Sequence, residues 1–139
     1  MSNSNSAFTG INTTGAVTGT IDVSSNNLGT ASVPLVNIMF ANSGGILCQN
    51  NSGGSAACAF TANSNVFQGV NYFAEGSGSF RCMNNSATLL SCTMNLNNFN
   101  NLTINSSGST FGFLIGGTSS TLTVVLNGNY VTKIGRAHV

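Results

Sequence analysis

Ile46-Leu47-Cys48-Gln49-Asn50-Asn51-Ser52 returns 34 residues later as Phe80-Arg81-Cys82-Met83-Asn84-Asn85-Ser86. Each copy reaches a second cysteine ten residues after the first, Cys58 before Ala59-Phe60 and Cys92 before Thr93-Met94. Alternation of period two puts Ile46, Cys48, Cys58 and Phe60 on one strand face. It does the same for Phe80, Cys82, Leu90, Cys92, Met94 and Leu96. The intervening Asn-Asn-Ser segments are turn formers. This pattern predicts two β-hairpins, centred on Gly53 and Ala87, with Cys48 opposite Cys58 and Cys82 opposite Cys92. Directly opposed residues lie about 4.5–5.5 Å apart, within disulfide reach. Of the three connectivities open to four cysteines, 48–58 and 82–92 are therefore expected, each contributing roughly 2–3 kcal/mol. A fainter third copy spans Leu114–Leu126, with Thr118-Ser119-Ser120 at the turn and Gly116 and Leu126 at the cysteine positions.

Two other readings of the cysteines compete. Structural zinc uses cysteine pairs two to four residues apart, which this spacing does not provide, so no metal site is expected. Four buried free thiols would suit a reducing cytosol, whereas disulfides imply export to the cell surface or exterior. Export is the expectation drawn from the paired spacing.

Working outward, no ten-residue segment keeps apolar residues at i, i+3, i+4 and i+7, so helices are not expected. Strand-like alternation covers Val17–Val23, Ser32–Ala41, Val66–Ala74, Gly78–Met83, Thr88–Leu96, Asn101–Asn105, Thr110–Ile115 and Ser120–Leu126. Asn127-Gly128 is a hairpin signal leading to Tyr130-Val131. Roughly eight to eleven short strands at this spacing point to an antiparallel β-sandwich, Ig-like or jelly-roll-like. A β-solenoid is the alternative, but 34 residues exceeds a typical coil of about 20–29. One all-β domain is expected over residues 16–132, after a flexible segment at 1–15.

Charged residues make up 4 % of the 139, against about 25 % in an ordinary domain. Asn (22), Ser (19), Thr (15) and Gly (17) account for more than half of the chain. Three Lys and Arg neutralise too few phosphates for nucleic-acid binding, and charge-laced coiled coils are excluded too. No stretch has the length of a membrane span, and no signal peptide is visible at the N-terminus. The ending Ile134-Gly135-Arg136-Ala137-His138-Val139 matches the translation of a common short-read sequencing adapter, with Lys133 sharing its codon. Residues 133–139 are therefore expected to lie outside the fold, and native sequence to continue beyond residue 132. Without them Arg81 stands against Asp22 and Glu75, one positive and two negative, a net charge of −1.

That inventory holds little chemistry. A glycosidase needs two carboxyl groups in one cleft, but Asp22 and Glu75 both read as turn residues. A Cys or Ser nucleophile has no basic partner, and Arg81 falls on the solvated face. Calcium-loop spacing is missing around Asp22. Asn-x-Ser/Thr occurs at Asn12, Asn50, Asn84, Asn101 and Asn105, about as often as this composition produces by chance. No catalytic residue and no cofactor is expected. Thr18-x-Thr20 and Thr121-x-Thr123 place threonines on one strand face, as ice-binding surfaces do. A carbohydrate platform would have to use Tyr72 or Tyr130, since Trp is absent.

Phe8-Thr9-Gly10, Ala16-Val17-Thr18-Gly19-Thr20-Ile21-Asp22-Val23 and Leu28-Gly29-Thr30-Ala31-Ser32-Val33 together resemble the opening of bacterial secreted proteins with a C-terminal sorting tail, the PEP-CTERM type. The resemblance covers about a quarter of the chain and is carried by low-complexity residues. It implies an extracellular or cell-surface protein of matrix type. The Pro-Glu-Pro tail of that group is not present and no functional residue transfers. The expectation is a non-catalytic secreted surface, adhesive or matrix domain, with an ice- or carbohydrate-binding module as alternative. Partners would be other copies of itself or surface glycans.

Overall fold

The computed structural model describes residues 5–116, 122–131 and 134–135. They form fourteen β-strands and no helix. The chain winds through four coils. The first holds β1 (Phe8–Thr13), β2 (Thr20–Asp22), β3 (Asn27–Leu28) and β4 (Val36–Ile38). The second holds β5 (Ile46–Asn51), β6 (Ala59–Thr61) and β7 (Val66–Gly76), and the third β8 (Phe80–Asn85), β9 (Ser91–Asn95) and β10 (Asn98–Ser106). The fourth holds β11 (Thr110–Ile115), β12 (Thr123–Asn127), β13 (Tyr130–Val131) and β14 (Ile134–Gly135). Each coil contributes to each of three sheets: β1-β5-β8-β11, β2-β6-β9-β12, and a third in which β7 and β10 are flanked by β3 and β4 on one side and β13 and β14 on the other.

Every strand pairing among the described residues is parallel. The expected antiparallel sandwich is thereby overturned in favour of a parallel β-solenoid. The 34-residue repeat that argued against a solenoid is the coil itself: Ile46 pairs with Phe80 at that offset. Ala59 pairs with Ser91, and Val66 with Asn98, at an offset of 32. The Asn-Asn-Ser segments turn the chain into the next sheet instead of reversing it. β5 and β6 consequently belong to different sheets, and so do β8 and β9. Cys48 does not oppose Cys58, nor Cys82 Cys92, and all four thiols are free. The expected disulfides are not formed.

Four smaller expectations also change. Phe8–Thr13, placed in a flexible segment, pairs with β5. Asn127-Gly128 leads from the second sheet into the third and not round a hairpin. In the fourth coil Val124 occupies the place beside Cys92, not Leu126. Thr118-Ser119-Ser120 falls outside the described residues. Ile134-Gly135, set apart as a sequence artefact, pairs with Leu102-Thr103 of β10, while Lys133 and residues 136–139 fall outside the described residues.

Parallel stacking places like residues above like residues, and the interior is built from such columns. Leu28, Phe67, Phe99 and Val131 form one, with the Phe67 and Phe99 rings stacked 5.0 Å apart and 2° from parallel. Such a pair contributes about 0.5–1.5 kcal/mol beyond the burial of its area. Ile21, Phe60, Cys92 and Val124 form another, and Val36, Val70 and Leu102 a third. The predicted inward face is observed for Ile46, Cys48, Cys58, Phe60, Phe80, Cys82, Cys92 and Met94, all buried. Leu90 and Leu96 are the exceptions, 47 % and 59 % exposed, and Leu89 is buried in place of Leu90. Leu96 has φ +56°, so the chain turns there and the next residue, Asn97, takes the interior.

Candidate functional site

The polar residues that dominate the composition are ordered in ladders running along the solenoid axis. The turn from the second sheet to the third reads Ser24-Ser25-Asn26, Asn63-Ser64-Asn65, Asn95-Leu96-Asn97 and Asn127-Gly128-Asn129 in successive coils. The central residue is left-handed each time, with φ of 61°, 55°, 56° and 59°. Only Gly128 meets that conformation without a Cβ penalty. The turn delivers the third residue inward. Asn26 donates its main-chain N–H and Nδ2 to Asn65 Oδ1, at 2.9 and 3.0 Å. Asn65 repeats the pair to Asn97, and Asn97 to Asn129, all within 2.9–3.0 Å. The other Nδ2 proton bonds back to the preceding coil: Asn65 onto Val23 O, Asn97 onto Ala62 O, Asn129 onto Met94 O.

The first residue of the motif runs a second ladder in the opposite sense. Asn63 N–H donates to Ser24 Oγ, Asn95 N–H to Asn63 Oδ1 and Asn127 N–H to Asn95 Oδ1. At the first sheet Asn84 Nδ2 donates to Asn50 Oδ1 and Asn50 Nδ2 to Asn12 Oδ1, at 2.7 and 2.8 Å. Beside it Asn51 Nδ2 donates to buried Asn85 Oδ1 at 2.7 Å. Buried amides must be partnered, and repeated side chains at the inter-strand spacing of about 4.8 Å partner one another. The sequence reading missed this use of asparagine. Its signal was the recurrence of Asn-x-Asn at Asn63, Asn95 and Asn127, each 32 residues apart.

The residues singled out for chemistry are dispersed. Asp22 lies on β2, where its carboxylate accepts the Ser24 hydroxyl, while Glu75 lies within β7 in another sheet. Neither sits in a turn as expected, and the two are not on a common sheet. Arg81 is half-buried with Nη1 on Asn84 Oδ1 at 3.2 Å. Burial holds the Cys48 thiol well above its ordinary range, with Cys82 beside it adding to the effect. Burial pushes Cys82 up to about 12 and Cys92 up to about 11. Thiols held protonated in this way are poor nucleophiles and poor metal ligands. Among the described residues no three His, Cys, Asp or Glu come together to hold a metal ion. Among the same residues no helix is long and apolar enough to cross a membrane.

Two surfaces stand out. The outer face of the second sheet carries two columns of small residues. One runs Thr20, Ala59, Ser91, Thr123, and the other Asp22, Thr61, Thr93, Val125. Thr20 and Thr123, from the two threonine pairs noted in the sequence, thus share one column, whereas Thr18 lies on the bend before β2. Thr121 falls outside the described residues. Of the two tyrosines, Tyr72 is buried with its hydroxyl on Asn42 O, and Tyr130 is exposed on β13. The second surface is an apolar recess of about 350 Å³ beside the first coil, lined chiefly by Phe8, Val36, Ile38, Met39 and Phe40. Comparisons with protein families, with curated proteins and with solved structures find no match to this chain.

Proposed function

We propose that this chain is a structural solenoid domain of a cell-surface or extracellular-matrix protein, acting by presenting its faces and not by catalysis. The observation that carries the reading is the use of asparagine. The amides that could have gripped a ligand are instead spent on one another between coils. A rod whose asparagine ladders bond one coil to the next, with three charges in residues 1–132, suits a tethered, crowded surface layer better than a dilute catalytic role. Placement outside the cell rests on this low charge and on the resemblance to sorting-tail proteins, no longer on disulfides. Retention of the purified protein on insoluble envelope and matrix polysaccharide tests the reading. Saturable retention without release of soluble sugar is expected; turnover of the polysaccharide, or no retention on any such fraction, would sink it.

A second reading, an ice- or carbohydrate-binding module, is favoured by one observation. The columns Thr20-Ala59-Ser91-Thr123 and Asp22-Thr61-Thr93-Val125 form a regular face with rows about 4.8 Å apart. An ice-recrystallisation assay and a glycan array separate the two. Inhibition or binding that disappears in Thr61→Lys/Thr93→Lys would establish the module, and indifference of both assays to those changes would remove it.

A further inference from the structure

We infer that Arg81, on the outer face of the first sheet, is a binding point for a uronate carboxylate of an acidic polysaccharide. The inference deepens the structural reading and rests on it: it names the chemistry by which one face of the solenoid is tethered.

Register puts Arg81 in a stack that is otherwise uncharged. Thr9, Leu47, Arg81 and Phe111 occupy one position in successive coils, and Asn12, Asn50, Asn84 and Leu114 a second. Cys82 and Met83 fill the interior, which leaves Arg81 on the outer face, lying against Asn84. A half-buried arginine stem covers strand surface, and packing alone accounts for that much. Leu47 meets the same need one coil earlier without a charge, so the cation is the feature to be explained.

A guanidinium donates from every nitrogen and accepts from none. Nη1 of Arg81 reaches Asn84 Oδ1 at 3.2 Å, and Nε is enclosed without a partner. Among the described residues Nη2 is neither bonded nor enclosed, so the fork offers its Nη1–Nη2 end to solvent. That end fits the two oxygens of a carboxylate with two parallel N–H bonds. Asp22 lies on the second sheet and Glu75 on the third, so neither acid shares the sheet of Arg81. The cation is partnered only by a neutral amide and partly withdrawn from water, where an anion is held more strongly than at an open surface. The amide row holds the fork in place: Asn84 Nδ2 is fixed on Asn50 Oδ1, and Asn50 Nδ2 on Asn12 Oδ1. Each of those oxygens turns toward the coil of Arg81, an orientation of dipoles that suits a cation at its end. Leu47, half-buried in the adjacent strand, gives an apolar seat for the face of a sugar ring. Elsewhere the chain has little to attract a polyanion, since residues 1–132 carry a net charge of −1. The contact is therefore specific to this position, and a polymer that repeats the carboxylate tethers many chains through it.

Titration of the whole chain with an oligogalacturonate, followed through the arginine Nε–H nuclear magnetic resonance signals, tests this. The signal of Arg81 should move and that of Arg136 should not, and the fully methyl-esterified oligomer should leave both unchanged. Arg81→Met keeps the stem and removes the charge. It should show the β-sheet circular dichroism of the parent and bind about tenfold to a hundredfold more weakly, the worth of a hydrogen bond to a charged group. Arg81→Lys should stay several-fold weaker than the parent, because an ammonium is a point charge without the fork. Added salt should weaken binding by the parent, since the contact is half exposed. Equal binding of the acid and its ester, binding that survives Arg81→Met, or no movement of the Arg81 signal at millimolar oligomer would overturn the inference. So would equal binding of a sulfated oligomer free of uronate, which would make this a site for any anion. Retention of the parent on matrix polysaccharide in any of those events would show that the structural reading stands without this site.

Discussion

Replacing Asn97 by alanine probes the ladder at its most buried rung. The side chain is fully buried and has four hydrogen bonds. Its Oδ1 accepts the Asn65 N–H and Nδ2 at 3.0 Å each, and its Nδ2 donates to Ala62 O at 2.8 Å and to Asn129 Oδ1 at 2.9 Å. A buried hydrogen bond is worth about 1 kcal/mol net, and a donor left buried without a partner costs about 1–3 kcal/mol. Truncation strips Asn65 N–H and Ala62 O together, so the loss should be roughly 3–5 kcal/mol. A chain of this length holds roughly 7–20 kcal/mol in all, so this one side chain accounts for a large share. Urea unfolding followed by circular dichroism measures it, with the midpoint falling and the slope unchanged. Asn71→Ala is the control: its partner Asn37 is exposed and the pair has a single bond at 2.7 Å, so the loss should stay below about 1 kcal/mol. Equal losses at Asn97 and Asn71 would refute the claim that inward ladders hold the coils together.

Three further outcomes follow from particular side chains. Gln49 is buried with neither amide atom partnered among the described residues, and its stacking neighbour in the next coil is Met83. Gln49→Met should therefore raise stability by about 1–3 kcal/mol in the same urea assay, and a decrease would show that the amide is satisfied. Leu96→Asn should raise it by about 1 kcal/mol, because Asn tolerates the left-handed turn and the leucine side chain is largely exposed. Thermal unfolding below that of the parent would contradict this. The raised thiols of Cys48, Cys82 and Cys92 keep their protons in the folded chain at pH values where the unfolded chain has lost them. Stability should be flat below about pH 8.5 and then fall by roughly 1 kcal/mol per pH unit for each thiol until the folded groups titrate. Slow native reaction with a thiol reagent, and four equivalents after unfolding, is the companion measurement; two equivalents or fewer would restore disulfides.

The strand class, the inward set from Ile46 to Met94 and the repeat of the cysteine blocks were legible in the residues, because side-chain alternation is a local property. The candidate surfaces were legible only in fragments. Thr20 and Thr123 were noted as members of separate pairs, and nothing local indicates that they share a column 103 residues apart in sequence. The asparagines of the ladders looked like turn formers, which they also are.

The sequence by itself determined that this chain is all-β, nearly uncharged and repetitive, since composition and period-two alternation fix which face of each strand is buried. Only the tertiary structure decided which strand pairs with which. Alternation is identical in parallel and antiparallel sheets, and Asn-Asn-Ser or Asn-Gly bends the chain without specifying the next sheet it enters. That choice is settled between coils, where Phe67 stacks on Phe99 and Asn65 bonds Asn97. Those contacts join residues 32 apart and exist only once the coils are stacked.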